Sequence, residues 1–283
     1  DKLPRPSMPS PAPLPLVVRA EAPIRVCDLG GWTDTWFAGH GQVFNIAVHP
    51  CAEVEIAARS SIRRAPRVLL HALDFGDCYE VTSREAPWGK HPLLEAALAI
   101  LEPPEGMDLE IRVRSDAPPG AGTGTSAAVT VALLGALDAL RGSRHTPLQI
   151  AALAQRVETE KLGRQCGIQD QIASAHGGVT FIDMPAYPEA TVSRVMAPDH
   201  ALRALEERLL LVYLGRSHDS SAIHETVIRG LEDAGPDSPA IAELRTFAST
   251  ARDAFASGDF ESLARTMRDS SLCADSVPGI THR

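Results

Sequence analysis

The stretch Ala117–Leu137 reads APPGAGTGTSAAVTVALLGAL and carries the strongest chemical signal in the chain. Gly120, Gly122 and Gly124 permit positive φ and close approach of the backbone. Thr123, Thr125 and Ser126 add hydroxyls. A helix predicted from about Ser126 to Leu140 follows at once, so its free N–H groups and its dipole face the loop. Such a loop holds anions, and a nucleotide phosphate is the natural guest. Two common phosphate loops do not match. The Walker pattern ends in Gly-Lys-Ser/Thr, and this loop has no lysine. The dinucleotide pattern is G-x-G-x-x-G, whereas the spacing here is G-x-G-x-G. A plain glycine turn between strand and helix is the structural alternative.

Phosphoryl transfer also needs a metal held by carboxylate or hydroxyl oxygens, and a group that accepts the attacking hydroxyl's proton. Two glutamates, Glu158 and Glu160, flank the apolar stripe of Ile150, Leu153, Ala154 and Val157 on opposite sides. Periodicity does not choose between them. Asp170 lies in Gly167-Ile168-Gln169-Asp170-Gln171, between glycine punctuation and a short helix. On its own it reads as a helix cap; beside the glycine loop it gains value. Upstream, Asp28-Leu29-Gly30-Gly31-Trp32-Thr33-Asp34-Thr35 is a polar glycine turn after a strand. It offers carboxylates and a hydroxyl suited to a polyol, and a bare turn has the same composition.

The elements that must position these residues alternate between strand and helix. Strands are predicted at Leu16–Ala20, Val43–Val48, Ala52–Arg59, Arg67–Ala72 and Cys78–Thr82. Leu109–Ser115 alternates apolar and charged residues, as a half-buried strand does. Pro92–Leu101 reads as a helix with Leu93, Leu94, Ala97, Leu98 and Leu101 on one face. Gly142 is placed to stop the helix after the loop. Thr146-Pro147-Leu148-Gln149 combines an N-cap, an N1 proline and a capping-box Gln, and predicts a helix to about Leu162. A helix at Gln169–Ala175 and a strand at Val179–Ile182 follow. Leu209–Leu214 reads as a strand opening a second region, with helices at about Ser221–Leu231, Pro239–Ala256 and Phe260–Arg268. The first fifteen residues hold six prolines and read as an extended arm.

Composition narrows the function classes. The chain has 283 residues, room for two domains. Its 27 Lys and Arg against 36 Asp and Glu give a net charge of −9, which argues against a general nucleic-acid surface. Aromatic residues at 5% argue against base-stacking platforms. The five cysteines are odd in number and form no CxxC, so neither a disulfide scaffold nor a zinc site is expected. Scattered thiols point to a reducing cytoplasm. No run of about 18 apolar residues is present, so no membrane span is expected.

Taken in order, these pieces resemble the GHMP kinase family (galacto-, homoserine, mevalonate and phosphomevalonate kinases), from about Leu16 onward. Pro119-Gly-Ala-Gly-Thr-Gly-Thr-Ser126-Ala-Ala is similar to the family's P-x-G-x-G-L-G-S-S-A-A, with Thr123 in place of Leu and Thr125 in place of the first Ser. Ala22-Pro23-Ile24-Arg25-Val26 resembles its first motif, with Arg where Lys is frequent. Asp28 to Asp34 resembles the D-x-x-G-G-x-[ST]-D of D-glycero-D-manno-heptose 7-phosphate kinases and L-fucokinase domains. Gly167 to Gln171, followed by Gly177-Gly178, resembles their G-x-Q-D-Q…G-G. Heptose kinases carry Lys at the place of Ile168.

The resemblance implies a mixed α/β fold of two lobes with the site between them. It implies an N-terminal ATP-binding domain over 16–185, after the arm at 1–15, and a C-terminal domain over 186–283. It also implies residue roles. Pro119, Gly120, Ala121, Gly122, Thr123, Gly124, Thr125 and Ser126 would hold ATP phosphates. Ser126 and Glu158 would bind Mg²⁺. Asp170 would be the catalytic base or would orient the anomeric hydroxyl, with Arg25 stabilising charge. Asp28, Gly30, Gly31, Thr33, Asp34 and Gln169 would line the sugar subsite, and Arg216 would meet a substrate phosphate. The activity implied is an ATP- and Mg²⁺-dependent sugar kinase acting on the anomeric hydroxyl of a heptose. An L-fucose-type 1-kinase and a catalytically silent nucleotide- or sugar-binding relative are the alternatives. A non-sugar alcohol such as mevalonate fits the polar turn less well. No third glycine-rich loop of the family type follows Gly178, so the C-terminal domain is expected to be incomplete. The partner expected is a small sugar or sugar phosphate, with neither nucleic acid nor membrane.

Overall fold

The computed structural model describes residues 15–63, 65–215, 225–229 and 235–277. The strands are β1 (Leu16–Leu29), β2 (Gly41–Ser60), β3 (Val68–Ala72), β4 (Asp77–Glu80), β5 (Met107–Ser115), β6 (Val179–Ala186) and β7 (Glu189–Arg194). The helices are α1 (Pro92–Ile100), α2 (Thr125–Leu140), α3 (Pro147–Arg156), α4 (Gln169–His176), α5 (Asp199–Glu206), a helical stretch at 225–229 (α6), α7 (Pro239–Ser257) and α8 (Phe260–Ser276). All seven strands form one mixed sheet in the order β4-β3-β5-β2-β6-β7, with β1 beside β2. Only β3 and β5 pair in parallel; the other pairs are antiparallel.

β2 is the spine. β1 runs alongside it, β5 pairs with 52–60 and β6 with 41–46. The sequence suggested two strands here, Val43–Val48 and Ala52–Arg59. The chain continues as one strand because the β1–β2 register steps from Pro23↔Cys51 to Ile24↔Val48. His49 and Pro50 fall in that bulge, where the missing proline N–H leaves no ladder bond unmade.

The two halves of the sheet are covered differently. Around β5, alternation puts Val54, Ile56, Ile111 and Val113 against α1 and α2. The opposite face is solvent-exposed and carries cross-strand ion pairs: Arg19–Glu55 at 2.8 Å, Arg112–Glu55 at 3.5 Å and Arg114–Glu53 at 2.7 Å. Such surface pairs contribute at most about 1 kcal/mol each, so the buried face carries this half's stability. Around β6 both faces are covered. Phe44 packs on Phe255 of α7, ring centroids 6.0 Å apart, while Val43 and Ile182 pack on Ile168 and Ile172 from α4 and its cap.

The predicted capping box is present, with Thr146 and Gln149 exchanging side-chain-to-backbone hydrogen bonds. α8 starts on Asp259, whose carboxylate accepts from Ser262 N–H at 2.9 Å, and runs eight residues beyond the predicted Arg268 end. β7 and α5 were not expected. Three sequence-based readings change or fall outside. Residues 209–214 are not a strand: no described strand pairs with them, and Leu210 and Leu214 are each 83% exposed. The helix read at Ser221–Leu231 is described only at 225–229. The Pro-rich arm (1–14) and Arg216 lie outside the described residues.

Candidate active site

The functional residues converge on one cavity of about 1790 Å³. Its lining includes the end of β1 with the turn after it, the loop 117–126, the segment 158–171, part of α8, and residues at 72–75, 91–94 and 212–214.

The glycine loop is held open by backbone geometry. Gly120, Gly122 and Gly124 all have φ near +70°, and Gly124 is the residue on which α2 begins. A Cβ at Gly124 would stand 3.3 Å from Asp170 Oδ2 and 3.5 Å from Arg25 Cγ. Glycine therefore serves twice there, supplying the left-handed turn and letting the loop press against the charged pair. Pro119, Gly120, Ala121, Gly122, Gly124, Thr125 and Ser126 line the cavity. Thr123 does not. It is 7% exposed, its carbonyl accepts from Arg25 N–H at 3.1 Å, and its hydroxyl meets Thr125 Oγ1 at 3.3 Å. Its side chain braces the loop instead of facing a phosphate.

Arg25 joins the parts. It is 8% exposed; Nε donates to Asp170 Oδ1 at 2.9 Å, Nη1 donates to the Gly122 carbonyl, and Nη1 stands 3.2 Å from Asp28 Oδ2. Burial opposes its charge, but Asp170 and Asp28 outweigh that and raise its pKa, so the guanidinium stays protonated. Asp170 sits in the first turn of α4. That helix is capped from a distance, because Asp34 Oδ2 accepts from Ile168 N–H at 2.8 Å and Gln169 N–H at 3.0 Å. Gly167 lets this happen: a Cβ there would overlap the Asp34 carboxylate at 2.0 Å. Asp34, expected to hold a substrate hydroxyl, thus lines the cavity and also fixes the helix that presents Asp170.

Two other residues expected to touch substrate do not reach the cavity. Thr33 is fully buried, its hydroxyl donating to the Gly30 carbonyl at 2.7 Å and accepting from Gln42 N–H at 3.1 Å. Gly30 packs against the Gln42 carbonyl. A small hydroxyl residue and a glycine satisfy a tight turn as well as a ligand, and here the turn takes them. Asp28, Gly31 and Gln169 do line the cavity. Among the described residues, Asp28 Oδ1 and Gln169 Oε1 are buried acceptors without a donor. Burial pushes Asp28 up to about 6, with Arg25 pulling down and Asp170 pushing up.

Periodicity left Glu158 and Glu160 equivalent. The helix ends α3 in one π-turn, Val157–Lys161, whose extra residue rotates the following side chains. Glu158 becomes 7% exposed and faces the cavity, whereas Glu160 lies on the surface paired with Arg156 at 2.8 Å. Burial and then Asp170 raise the Glu158 pKa. Ser126 lines the same cavity. Among the described residues no three His, Cys, Asp or Glu are grouped to chelate a metal. Mg²⁺ needs no such group, since it takes one or two protein oxygens and completes its shell with phosphate and water. The residues fit that chemistry. Both donors are hard oxygens, and Gln171 beside Glu158 keeps a buried Oε1 that, among the described residues, has no donor.

Several lining residues were not selected from sequence. Gln171 sat unweighed inside the quoted motif. Arg164 is an exposed cation on the rim, and no periodic pattern marks it. Phe75 and His91, rings 5.0 Å apart, line the cavity together with Leu93 and Leu94. Cys27 and Cys166 also line the cavity, and neither is a nucleophile. Burial and then Asp28 push the Cys27 thiol up to about 12, and burial with Glu158 and Asp170 raises Cys166 as well. Ile168 is 2% exposed in the core, so it presents nothing to the cavity.

Comparison with known proteins matches residues 92–178 to the GHMP kinases N terminal domain. The mevalonate kinase of Methanothermobacter thermautotrophicus is 45% identical over 75 residues, which is 26% of this chain and 24% of that protein. The galactokinase of Roseiflexus sp. is 30% identical over 206 residues, covering 66% of this chain and 50% of that protein. The match thus spans between a quarter and a half of these relatives' lengths. The D-glycero-D-manno-heptose 1-phosphate kinase of Bacteroides thetaiotaomicron superposes with a TM-score of 0.73 at 21% identity, covering 91% of this chain and 79% of that one. At that identity the superposition establishes the fold. Among the described residues no helix is long and apolar enough to cross a membrane.

Proposed function

We propose that the chain is a GHMP-type kinase, as the match of residues 92–178 to the GHMP kinases N terminal domain supports, and that its cavity transfers the γ-phosphoryl group of ATP to a sugar hydroxyl, the anomeric hydroxyl of a heptose being the best candidate. The observation that carries this reading is the position of Arg25. One side chain ties the phosphate loop at Gly122, the acid Asp170 and the polyol-side Asp28 into a single buried unit. A phosphate loop and a hydroxyl-binding wall are thereby set on either side of one carboxylate.

The glycine loop and the N-terminus of α2 receive the phosphates through backbone N–H groups, which replaces the lysine that this loop lacks. The aromatic and aliphatic end near Phe75, His91 and Leu93 receives the base. Asp28 Oδ1 and Gln169 Oε1 accept hydrogen bonds from sugar hydroxyls, which satisfies both orphaned oxygens. Mevalonate offers fewer donors for them than a sugar does. Asp170 takes the proton of the attacking hydroxyl or orients it toward the γ-phosphorus. Arg25 holds that carboxylate through Nε and adds positive charge beside the transferring group. Mg²⁺ held by Glu158 and Ser126 would neutralise charge developing on the phosphates.

A coupled ADP-release assay with heptose, heptose 7-phosphate, fucose, galactose and mevalonate tests the reading. Turnover with a sugar and none with mevalonate supports it. Ligand heat in calorimetry without ADP from any acceptor overturns it in favour of a silent binding protein.

A further inference from the structure

Gln171 is the cavity residue whose construction the scheme above leaves unexplained. It follows Asp170 in the first turn of α4 and is only 2% exposed. Its Nε2 donates to Glu158 Oε1 at 3.0 Å in a fully buried contact. Its Oε1 is buried and, among the described residues, has no donor. A leucine or methionine would fill the same space without an orphaned acceptor, which costs on the order of 1–3 kcal/mol. The arrangement becomes favourable only when a donor arrives.

The surroundings specify that donor. Glu158 and Asp170 both line the cavity, and Gln171, next to Asp170 in the chain, touches Glu158. Two neighbouring carboxylates attract a cation. The water molecules on a hydrated divalent cation turn their protons outward and are strong donors. Gln171 presents its donor to the carboxylate and its acceptor to the space beside it. Turning the amide over would lose the 3.0 Å contact from Nε2 to Glu158 Oε1 and set two oxygens of the pair against each other.

We infer that Gln171 is a positioning residue for a divalent-cation site: Nε2 holds one Glu158 oxygen so that the other is free for the ion, and Oε1 accepts from a water on that ion. The inference rests on the reading of Glu158 as a metal-binding residue. Outer partners of this kind set metal affinity by about 10- to 100-fold when removed.

The test is Mn²⁺ binding by the full chain in the presence of a non-hydrolysable ATP analogue, read as loss of the free-Mn²⁺ electron spin resonance signal. Gln171→Leu is expected to weaken Mn²⁺ binding about 10- to 100-fold. Nucleotide affinity measured with chelator should stay within twofold, and the melting temperature should change little, because the orphaned Gln171 oxygen and the donor to Glu158 Oε1 are lost together. Gln171→Glu, which loses the donor and adds a third carboxylate, should melt lower and bind Mn²⁺ with altered pH dependence. Unchanged Mn²⁺ affinity in Gln171→Leu, while Glu158→Gln loses it, overturns the role of Gln171 alone. Equal losses of Mn²⁺ affinity and of chelator-measured nucleotide affinity, with a lower melting temperature, mark a structural residue and also overturn it. Wild-type protein that binds no Mn²⁺ overturns the Glu158 reading itself.

Discussion

One wall of the cavity, Gly120–Ser126, offers backbone N–H groups in positive-φ turns; the other, Asp28 to Asp34 with Gln169, offers side-chain oxygens in a buried network. The first wall takes its shape from positive-φ glycines and from the helix it opens. The second is held by charge, and it carries unpaired acceptors and a carboxylate raised to about 6. A phosphate is an invariant ligand that backbone dipoles can serve in any chain. A sugar has a particular pattern of hydroxyls, which only side chains can match, and matching them leaves the empty site less stable. The comparison therefore separates residues whose loss damages catalysis or nucleotide binding from residues whose loss relieves the fold while damaging acceptor binding.

The largest expected effect breaks the link between the walls. Asp170→Asn should lower kcat by about 10²- to 10⁴-fold, the usual range for a positioned proton acceptor, while ATP affinity by calorimetry changes little. An equal loss of ATP affinity would make Asp170 a structural element of the phosphate wall. Next, Gly124→Ala strains a φ of +70° and pushes a methyl against Asp170. A cost of about 1–3 kcal/mol corresponds to roughly 5- to 150-fold in nucleotide affinity and kcat, measured by titration and steady-state kinetics.

Asp28→Asn sharpens the contrast most. The Asp28 carboxyl titrates near 3.8 when exposed and near 6 in the fold. A raised carboxyl binds its proton more tightly in the native state, so its contribution to stability is present at low pH and is lost as pH rises from about 4 to 6. Removing the charge should therefore raise the melting temperature at pH 7.5, by at most about 3 kcal/mol of stability, with the gain vanishing near pH 4. The same variant should raise the sugar KM about tenfold by weakening a charge-assisted hydrogen bond. A melting temperature that falls equally at both pH values would show that Asp28 braces the fold. The smallest effect is expected for Glu160→Ala, a surface partner of Arg156, at under about 1 kcal/mol by thermal melting and with no change in Mn²⁺ binding.

The difference between the walls also explains what the sequence revealed. The phosphate loop is legible because glycine spacing and a following apolar helix report backbone conformation directly. The capping box at Thr146 and the alternation at 109–115 were legible for the same reason: each is a local pattern with one physical solution. The acidic wall was not, because Asp, Thr and Gly serve turns and caps as well as ligands. Thr33 and Gly30 went to the turn, Asp34 went partly to capping α4 from 134 residues away in sequence, and Asp28, which also pairs with Arg25, reached the cavity with Gly31 and Gln169. Glu158 and Glu160 were inseparable because a π-turn changes the period between them. Leu209–Leu214 misled because apolar β-prone residues predict a strand only where a partner strand exists, and none of the described strands pairs with it.

The most direct measurement follows phosphorus through the reaction by ³¹P nuclear magnetic resonance, with the full chain, MgATP and a heptose or heptose 7-phosphate. The account predicts a new phosphomonoester signal coupled to the anomeric proton, growing in step with ADP and absent with Asp170→Asn. ADP accompanied only by inorganic phosphate, or an unchanged ATP spectrum with every sugar offered, would contradict it.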